Sequence, residues 1–442
     1  MQEQHNNLKG IFLKITGDKM ETFERNLSIL ESMKETVLDY EFLLSSRNKP
    51  QDFSRSRKMD FVDIIMCMLN FFRKDAQIEV DNFLKNVKES DMAMSEQGFL
   101  KARTKIKPEA FTILNDVLVK NVYKKPEYFY TFKGYRLLAV DGTVVTLNNT
   151  EVMQEAFGYV ETQTSKHAQA QASCLYDIEN GVILHSVIDS YRSDERKLAI
   201  QHIEKLESMG LRNDLILFDR GYPSTKLIAK LSEKDIKFVM RVSKKSTKEV
   251  NDFSGEDGVV EIKSGESFIK VRVINTVLKT GETEKLITNL LDADFTPEEF
   301  RQLYFKRWGI ETRYDFLKNK LEIENFTGES KLIICQDFYA SIYLANLCEL
   351  MKSSSDEAIR KEREGKDLKR DYKTNQKRLI AKLKDNLIKV ILEEDIVKKE
   401  QLFNQLIDEV HKKPIVIRPG RSFPRVTKGR TVKFPKNKKR SM

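Results

Sequence analysis

Tyr304, Arg307, Glu311 and Lys318 occur in one stretch, YFKRWGIETRYDFLKNKLE, at offsets of 0, 3, 7 and 14. At about 100° per residue they fall near 0°, −60°, −20° and −40°, so one helix would gather all four on an arc of roughly 60°. A phenol, a guanidinium, a carboxylate and an ammonium would then share one stripe. Leu303, Ile310, Tyr314, Leu317 and Leu321 fall beside it, between about −80° and −140°, as an apolar face. The glutamate would border the core instead of pointing into bulk water. One carboxylate with three phosphate-binding neighbours at such a border suits phosphoryl transfer. A solvated helix face could carry the same spacing, so the stripe needs partners.

Two aspartates upstream are the candidates. Asp141 interrupts the apolar run LLAVDGTVVTL (137–147), and Asp219 closes DLILFDRGY (214–222). Each alone could merely start a turn or cap a helix. If the two runs are neighbouring buried strands, both carboxylates emerge at one place, and Glu311 from a helix packed on that sheet makes a third. Three clustered carboxylates repel, and one would protonate unless a cation is present. Hard divalent ions with oxygen ligands are the natural solution, and a two-metal site fits in-line displacement at phosphorus. There is no Walker A or other glycine-rich phosphate loop, which disfavours nucleotide hydrolysis. The five histidines are dispersed, and His167 and His185 read as structural or surface residues.

These residues need a scaffold. Residues 1–130 read as helical, and Ile78–Val87 and Ser95–Ile106 form a pair of short helices. The second carries Lys101, Arg103 and Lys105 and could be a DNA-reading helix or only a hairpin with a solvated basic face. Strands follow at 137–147, AQASCLYDI and GVILHSVIDS, the last two joined by a turn at Glu179-Asn180-Gly181. A helix at 194–206, a strand at 214–219, a helix at Ser224–Lys234 and a strand at 236–243 complete the series. Strand–strand–strand–helix–strand–helix–strand is the order of a ribonuclease-H-like (retroviral-integrase-like) α/β core.

Residues from about 244 to 292 read as a β-rich insertion. Thr296 as N-cap, Pro297 at the first helical position and Glu299 three residues on open a helix that should run through the polar stripe. Further helices are expected at 335–352 and 368–410, linked by the charged stretch Ser353–Asp367. The expected divisions are 1–130 as a helical DNA-binding region, 131–350 as the catalytic core, 351–410 as a helical region and 411–442 as a basic tail.

The chain has 442 residues, enough for two or three domains. Of its formal charge of +10, residues 411–442 carry +12, so residues 1–410 carry −2. A near-neutral body with a basic tail suggests a polyanion partner, although a disordered solubilising tail would look alike. Four scattered cysteines without zinc spacing read as reduced thiols, and the first residues show no signal-peptide pattern. The longest apolar run, Phe61–Phe72, contains Asp63 and is too short to span a bilayer, so no membrane role and a cytoplasmic, nucleoid-associated location are expected.

Together the motifs resemble those of DDE transposases of bacterial insertion sequences, in the insertion-sequence-four group marked by Tyr-x2-Arg-x3-Glu-x6-Lys. Tyr304, Arg307, Glu311 and Lys318 match that pattern without a gap, while AVDGT and FDRGY resemble the group's two aspartate motifs. The acidic residues lie 78 and 92 residues apart, the second interval being lengthened by the β insertion as in that group. SEQGFLKARTKIKPEAF also looks like the family's N-terminal region, and the resemblance spans roughly residues 55–395.

The resemblance implies a cut-and-paste transposase, a polynucleotidyl transferase and endonuclease acting on double-stranded DNA, namely transposon terminal inverted repeats and target DNA. Asp141 would bridge two Mg²⁺ ions, for which Mn²⁺ can substitute, with Asp219 and Glu311 each holding one. Tyr304, Arg307, Lys318 and Arg220 would contact phosphates, and the protein would act as a homodimer in a synaptic complex. Relatives often hold a flipped base with a tryptophan of the insertion. Here the only tryptophan is Trp308, on the stripe helix and about 60° beyond Glu311, which leaves Phe253 or Phe268 as substitutes. Two other readings stay open: a catalytically silent DNA-binding relative, domesticated or inhibitory, and a metal-dependent DNA nuclease without strand transfer.

Overall fold

The computed structural model describes residues 22–70, 75–243, 246–277, 281, 283–291 and 295–418. Six helices come first: α1 (Thr22–Leu38), α2 (Tyr40–Ser46), α3 (Phe61–Leu69), α4 (Ala76–Asn82), α5 (Glu96–Arg103) and α6 (Glu109–Val122). The apolar run forms α3 over Phe61–Leu69, buried along its length, while residues 71–72 of the run lie outside the described residues; among the described residues no helix is long and apolar enough to cross a membrane.

A mixed sheet of nine strands forms the centre. In chain order the strands and helices are β1 (Arg136–Thr146), α7 (Glu151–Phe157), β2 (Tyr159–Glu161), β3 (Lys166–Asp177), β4 (Val182–Ser190), α8 (Glu195–Met209), β5 (Asp214–Phe218), α9 (Thr225–Glu233), β6 (Lys237–Arg241) and α10 (Lys248–Asp252). β7 (Asp257–Ser264), β8 (Ser267–Val277) and β9 (Thr283–Thr288) follow. The sheet order is β2-β3-β1-β5-β6-β9-β8-β7, with β4 on β3. β1 pairs antiparallel with β3 but parallel with β5, and β5 pairs parallel with β6. Helices α8 and α9 provide the long crossovers that parallel neighbours require. The short strand β2 and helices α7 and α10 carry little periodicity and were not expected.

The β-rich segment joins the central sheet. β9 pairs antiparallel with β6, and β8 and β7 extend the same sheet outward. The pairing depends on contacts distant in sequence, which local composition does not encode.

Six more helices follow: α11 (Pro297–Phe305), α12 (Trp308–Asn319), α13 (Lys331–Arg363), α14 (Gln376–Leu383), α15 (Asn386–Leu392) and α16 (Ile396–His411). Thr296 caps α11 through the expected capping box with Glu299. α13 runs without interruption through the stretch expected to be a charged link, 353–367, as far as Arg363, so it crosses the expected boundary at 350/351. Ser354, Ser355 and Ile359 are buried there, so the segment has an inward face despite its charge. α13 packs against α1, α6 and α16, and covers β4. The Asn346 amide on α13 donates to the Ile183 carbonyl at 2.9 Å and accepts from the Ile183 N–H at 2.8 Å, pairing the open edge of β4.

Of the three cations on the basic face expected for α5, Arg103 is turned inward. Its side chain is fully buried and bonds Gln336 and Asp337 of α13 and Thr327. A buried guanidinium is stable only with such partners. It fastens α5 to the core and is inaccessible to DNA. In the basic tail, α16 ends at His411 and Ile415–Val416 pairs with Tyr372–Lys373; residues 419–442 lie outside the described residues.

Candidate active site

The site starts from strand register. In the parallel pair β1/β5, Arg136 faces Asp214 and Val140 faces Phe218. Asp141 and Asp219 are therefore the next two residues on neighbouring strands, which lie about 4.8 Å apart. β5 ends at Phe218, whereas β1 continues to Thr146. Past Asp141, then, β1 loses its parallel neighbour, and α12 lies along it. The Tyr314 hydroxyl donates to the Asp141 carbonyl at 2.7 Å, and the Lys318 ammonium donates to the Val144 carbonyl at 2.6 Å.

Asp141 is held from several sides. Its carboxylate accepts from the Gly142 N–H at 2.9 Å, and Asp219 likewise accepts from the Arg220 N–H at 2.7 Å. The Asp141 carbonyl also accepts from the Ser173 hydroxyl, itself bonded to buried His202 at 2.9 Å. His202 lies 2.8 Å from His185, Nδ1 to Nδ1. Burial pushes the Asp141 carboxyl up to about 6; Gly142 and Arg307 oppose the rise, and the charges of Asp219 and Glu311 add to it. Gly142 leaves room here for two polar side-chain ends: a Cβ would stand 2.6 Å from Gln171 Nε2 and 2.7 Å from Glu195 Oε1.

The polar stripe does not lie on one continuous helix. α11 ends at Phe305 and α12 begins at Trp308. Between them, Lys306, Arg307, Gly309 and Ile310 each donate to the residue three back, at 2.9–3.1 Å. Such a tighter turn eclipses positions three apart, which brings Tyr304 and Arg307 closer together than uninterrupted α-helix would. The close seat of α12 favours it: a Cβ on Gly309 would lie 3.2 Å from Ile178 Cγ2.

Across this turn the Tyr304 hydroxyl reaches Asp219 at 3.5 Å. Arg307, only 6% exposed, places NH2 2.8 Å from Glu311 and NH1 3.6 Å from Asp141. Tyr304, Arg307 and Glu311 are thus brought to Asp141 and Asp219. Lys318 is not: it sits farther along β1, on the Val144 carbonyl and 3.8 Å from Glu324. Arg220 is exposed on the loop after Asp219. Trp308 stands 43% exposed, with the Arg307 guanidinium 5.8 Å from its ring. Phe253 is tucked over Gly255 and Gly258, while Phe268 is exposed on β8.

Two nearby residues escaped the sequence reading, Glu195 and Tyr222. Glu195 begins α8 and accepts from Gln171 at 3.0 Å. In the sequence it looks like an ordinary first-turn acid behind the N-cap Asp194. Tyr222 belongs to the FDRGY motif, but only its burial gives its hydroxyl significance.

Residues 132–347 match the family described as the transposase DDE domain. The chain is 25% identical over 233 residues to the transposase InsG for insertion sequence element IS4 of Escherichia coli (strain K12). That match takes in 48% of this chain and spans about half the length of the curated relative, 51%. The structure of the piggyBac transposase synaptic complex with hairpin DNA, determined by cryo-electron microscopy, is 12% identical, with a TM-score of 0.42 over 91% of this chain and 86% of that one. Asp141 and Asp219, level on adjacent strands, and Glu311, brought to them through Arg307, all lie inside the span that matches the transposase DDE domain family.

Proposed function

We propose that this chain is a cut-and-paste DNA transposase whose reaction centre is formed by Asp141, Asp219 and Glu311. The observation that carries the reading is the register of β1 and β5, which sets two carboxylates side by side, with Arg307 joining Glu311 to them. A ribonuclease-H-like core is supported by the strand order β4-β3-β1-β5-β6, antiparallel among the first three and parallel among the last three.

The donor set fits a divalent cation in kind: three hard oxygen donors against one guanidinium, with one carboxyl already pushed up by burial and its neighbours. Among the described residues no three such side chains yet converge as a cage. Arg307 now stands between Asp141 and Glu311, so Glu311 would have to release it. One or two Mg²⁺ ions, or Mn²⁺, held by these carboxylates would supply positive charge at the reacting phosphate. Arg307, once released, is placed to bond a phosphate oxygen, with Tyr304 beside it. Arg220 and Lys318 lie at the rim, where they would meet the DNA backbone further out. Hydrolysis at the transposon ends would free a 3′-hydroxyl that attacks target DNA, in a homodimeric synaptic complex.

DNA contact by the helical region is reassigned to a cleft of about 600 Å³ between residues 51–62 and α5, lined by Arg55, Arg57, Lys58, Lys101 and Lys105. Cations spaced around one concave surface suit a phosphate backbone.

A supercoiled plasmid and a terminal-repeat duplex, incubated with the protein and Mg²⁺, test the reading. Cleavage followed by joining is expected. Cleavage without joining would favour a nuclease, and binding without cleavage a silent relative.

A further inference from the structure

We propose that Glu195 is a fourth carboxylate donor to the divalent-cation site of Asp141, Asp219 and Glu311. The inference rests on the reading above and adds a residue to it.

Glu195 opens α8, which packs on β1 and β3. Its side chain reaches the strand residue after Asp141 and the turn after Asp219. Oε1 stands 2.7 Å from where a Gly142 Cβ would be, and Oε2 stands 3.7 Å from the corresponding point on Gly221. Both glycines present bare backbone to this carboxylate. The neighbouring Arg196 donates to the Gly221 carbonyl at 3.1 Å and fixes that turn against α8. Among the described residues Gln171 is the one hydrogen-bond donor to Glu195, on Oε1.

An independent observation is a buried hydroxyl near the same carboxylates. Tyr222 is 1% exposed, and its hydroxyl has no hydrogen-bond partner among the described residues. An orphaned buried hydroxyl is costly and calls for an explanation. The charges of Glu195, Asp141 and Asp219 all bear on it and, after burial itself, push its hydroxyl well above the ordinary range. Glu195 is likewise pushed up, first by burial and then, against the Gln171 bond, by Asp219 and Asp194. A first-turn helix position would by itself favour the anion. A hydrated divalent cation among these groups would relieve both: its charge offsets the carboxylates, and its water shell gives Tyr222 a partner.

Mn²⁺ titration of the full chain, read by calorimetry and by the rise in melting temperature, tests this without reference to activity. Glu195→Gln, which keeps shape and removes charge, is expected to weaken Mn²⁺ binding by about tenfold or more. Asp194→Asn, which removes a nearby charge but keeps the cap, should stay within about twofold. Tyr222→Phe should leave the metal-free melting temperature unchanged or higher and shrink the Mn²⁺-induced rise. Wild-type Mn²⁺ affinity in Glu195→Gln would overturn the proposal. If Asp141→Asn loses binding while Glu195→Gln does not, the three-carboxylate site stands and Glu195 falls. If neither variant changes binding, both readings fail. Should Glu195→Gln not fold, Glu195→Asp, which withdraws the charge by one methylene, must show weakened binding for the proposal to survive.

Discussion

Arg136 and Asp214, the first register pair of β1 and β5, form a buried ion pair with contacts of 2.6 and 2.9 Å, five positions ahead of Asp141 and Asp219 on the same two strands. Side-chain register in a sheet has a period of two, so a one-residue slip would send one aspartate to the opposite face. The pair fixes the alignment that the candidate site depends on. Removing one partner leaves a buried charge unpaired, so Arg136→Leu should cost roughly 3–5 kcal/mol. The double variant with Asp214→Leu should recover much of that stability. Chemical denaturation of the three proteins measures both changes.

Asp141 gives a pH dependence in metal-free protein. Its carboxyl is raised from 3.8 to about 6 in the fold, so the folded state holds the proton more tightly. That contribution is complete below pH 3.8 and is lost as pH rises through about 6. Asp177, buried and raised to about 6, acts in the same direction. Asp141→Asn should therefore be more stable than the parent at pH 7.5, by on the order of 2 kcal/mol, and should flatten part of the decline between pH 4 and 7. Thermal melts across that range in chelator decide it; an unchanged slope would refute the assignment.

Much of the core was legible because its strands are apolar runs bounded by turns, and because Asp141 interrupts one such run while Asp219 follows the end of another. The break at Lys306–Arg307 was not, since it follows from seating Gly309 against Ile178, a contact 131 positions apart in sequence. Charge counting misplaced Arg103 for a related reason: it registers a guanidinium but not the Asp337 carboxylate of α13 that buries it. The same counting read 353–367 as a linker, although Ile359 turns inward there. Glu195 was hidden because a helix N-terminus is an ordinary place for an acid.

A side chain at Gly142 should displace the two polar side-chain ends that face it. Gly142→Ala would press the Gln171 amide and the Glu195 carboxylate aside, lowering cleavage more than stability or DNA binding. Parallel melts and gel-shift titrations separate the two effects.

Arg103 and the cleft residues should behave in opposite ways. Arg57→Gln with Lys101→Gln should weaken DNA binding and reduce the slope of log K against log salt by about 2, with little change in stability. Arg103→Gln should lower the melting temperature sharply. A salt slope unchanged by the cleft variant would rule that surface out.

Arg307 bridges Asp141 and Glu311 in the metal-free arrangement and is placed to move to phosphate. Arg307→Ala should reduce cleavage by about one to three orders of magnitude. Lysine there should restore little, lacking the planar fork. Single-turnover cleavage rates provide the measure.

The most direct test compares end cleavage and end binding for Asp141→Asn, Asp219→Asn and Glu311→Gln on one terminal-repeat duplex with Mg²⁺. All three are expected to bind the duplex close to the parent affinity and to lose cleavage altogether. Cleavage at the parental rate by any one of them would contradict the three-carboxylate reaction centre.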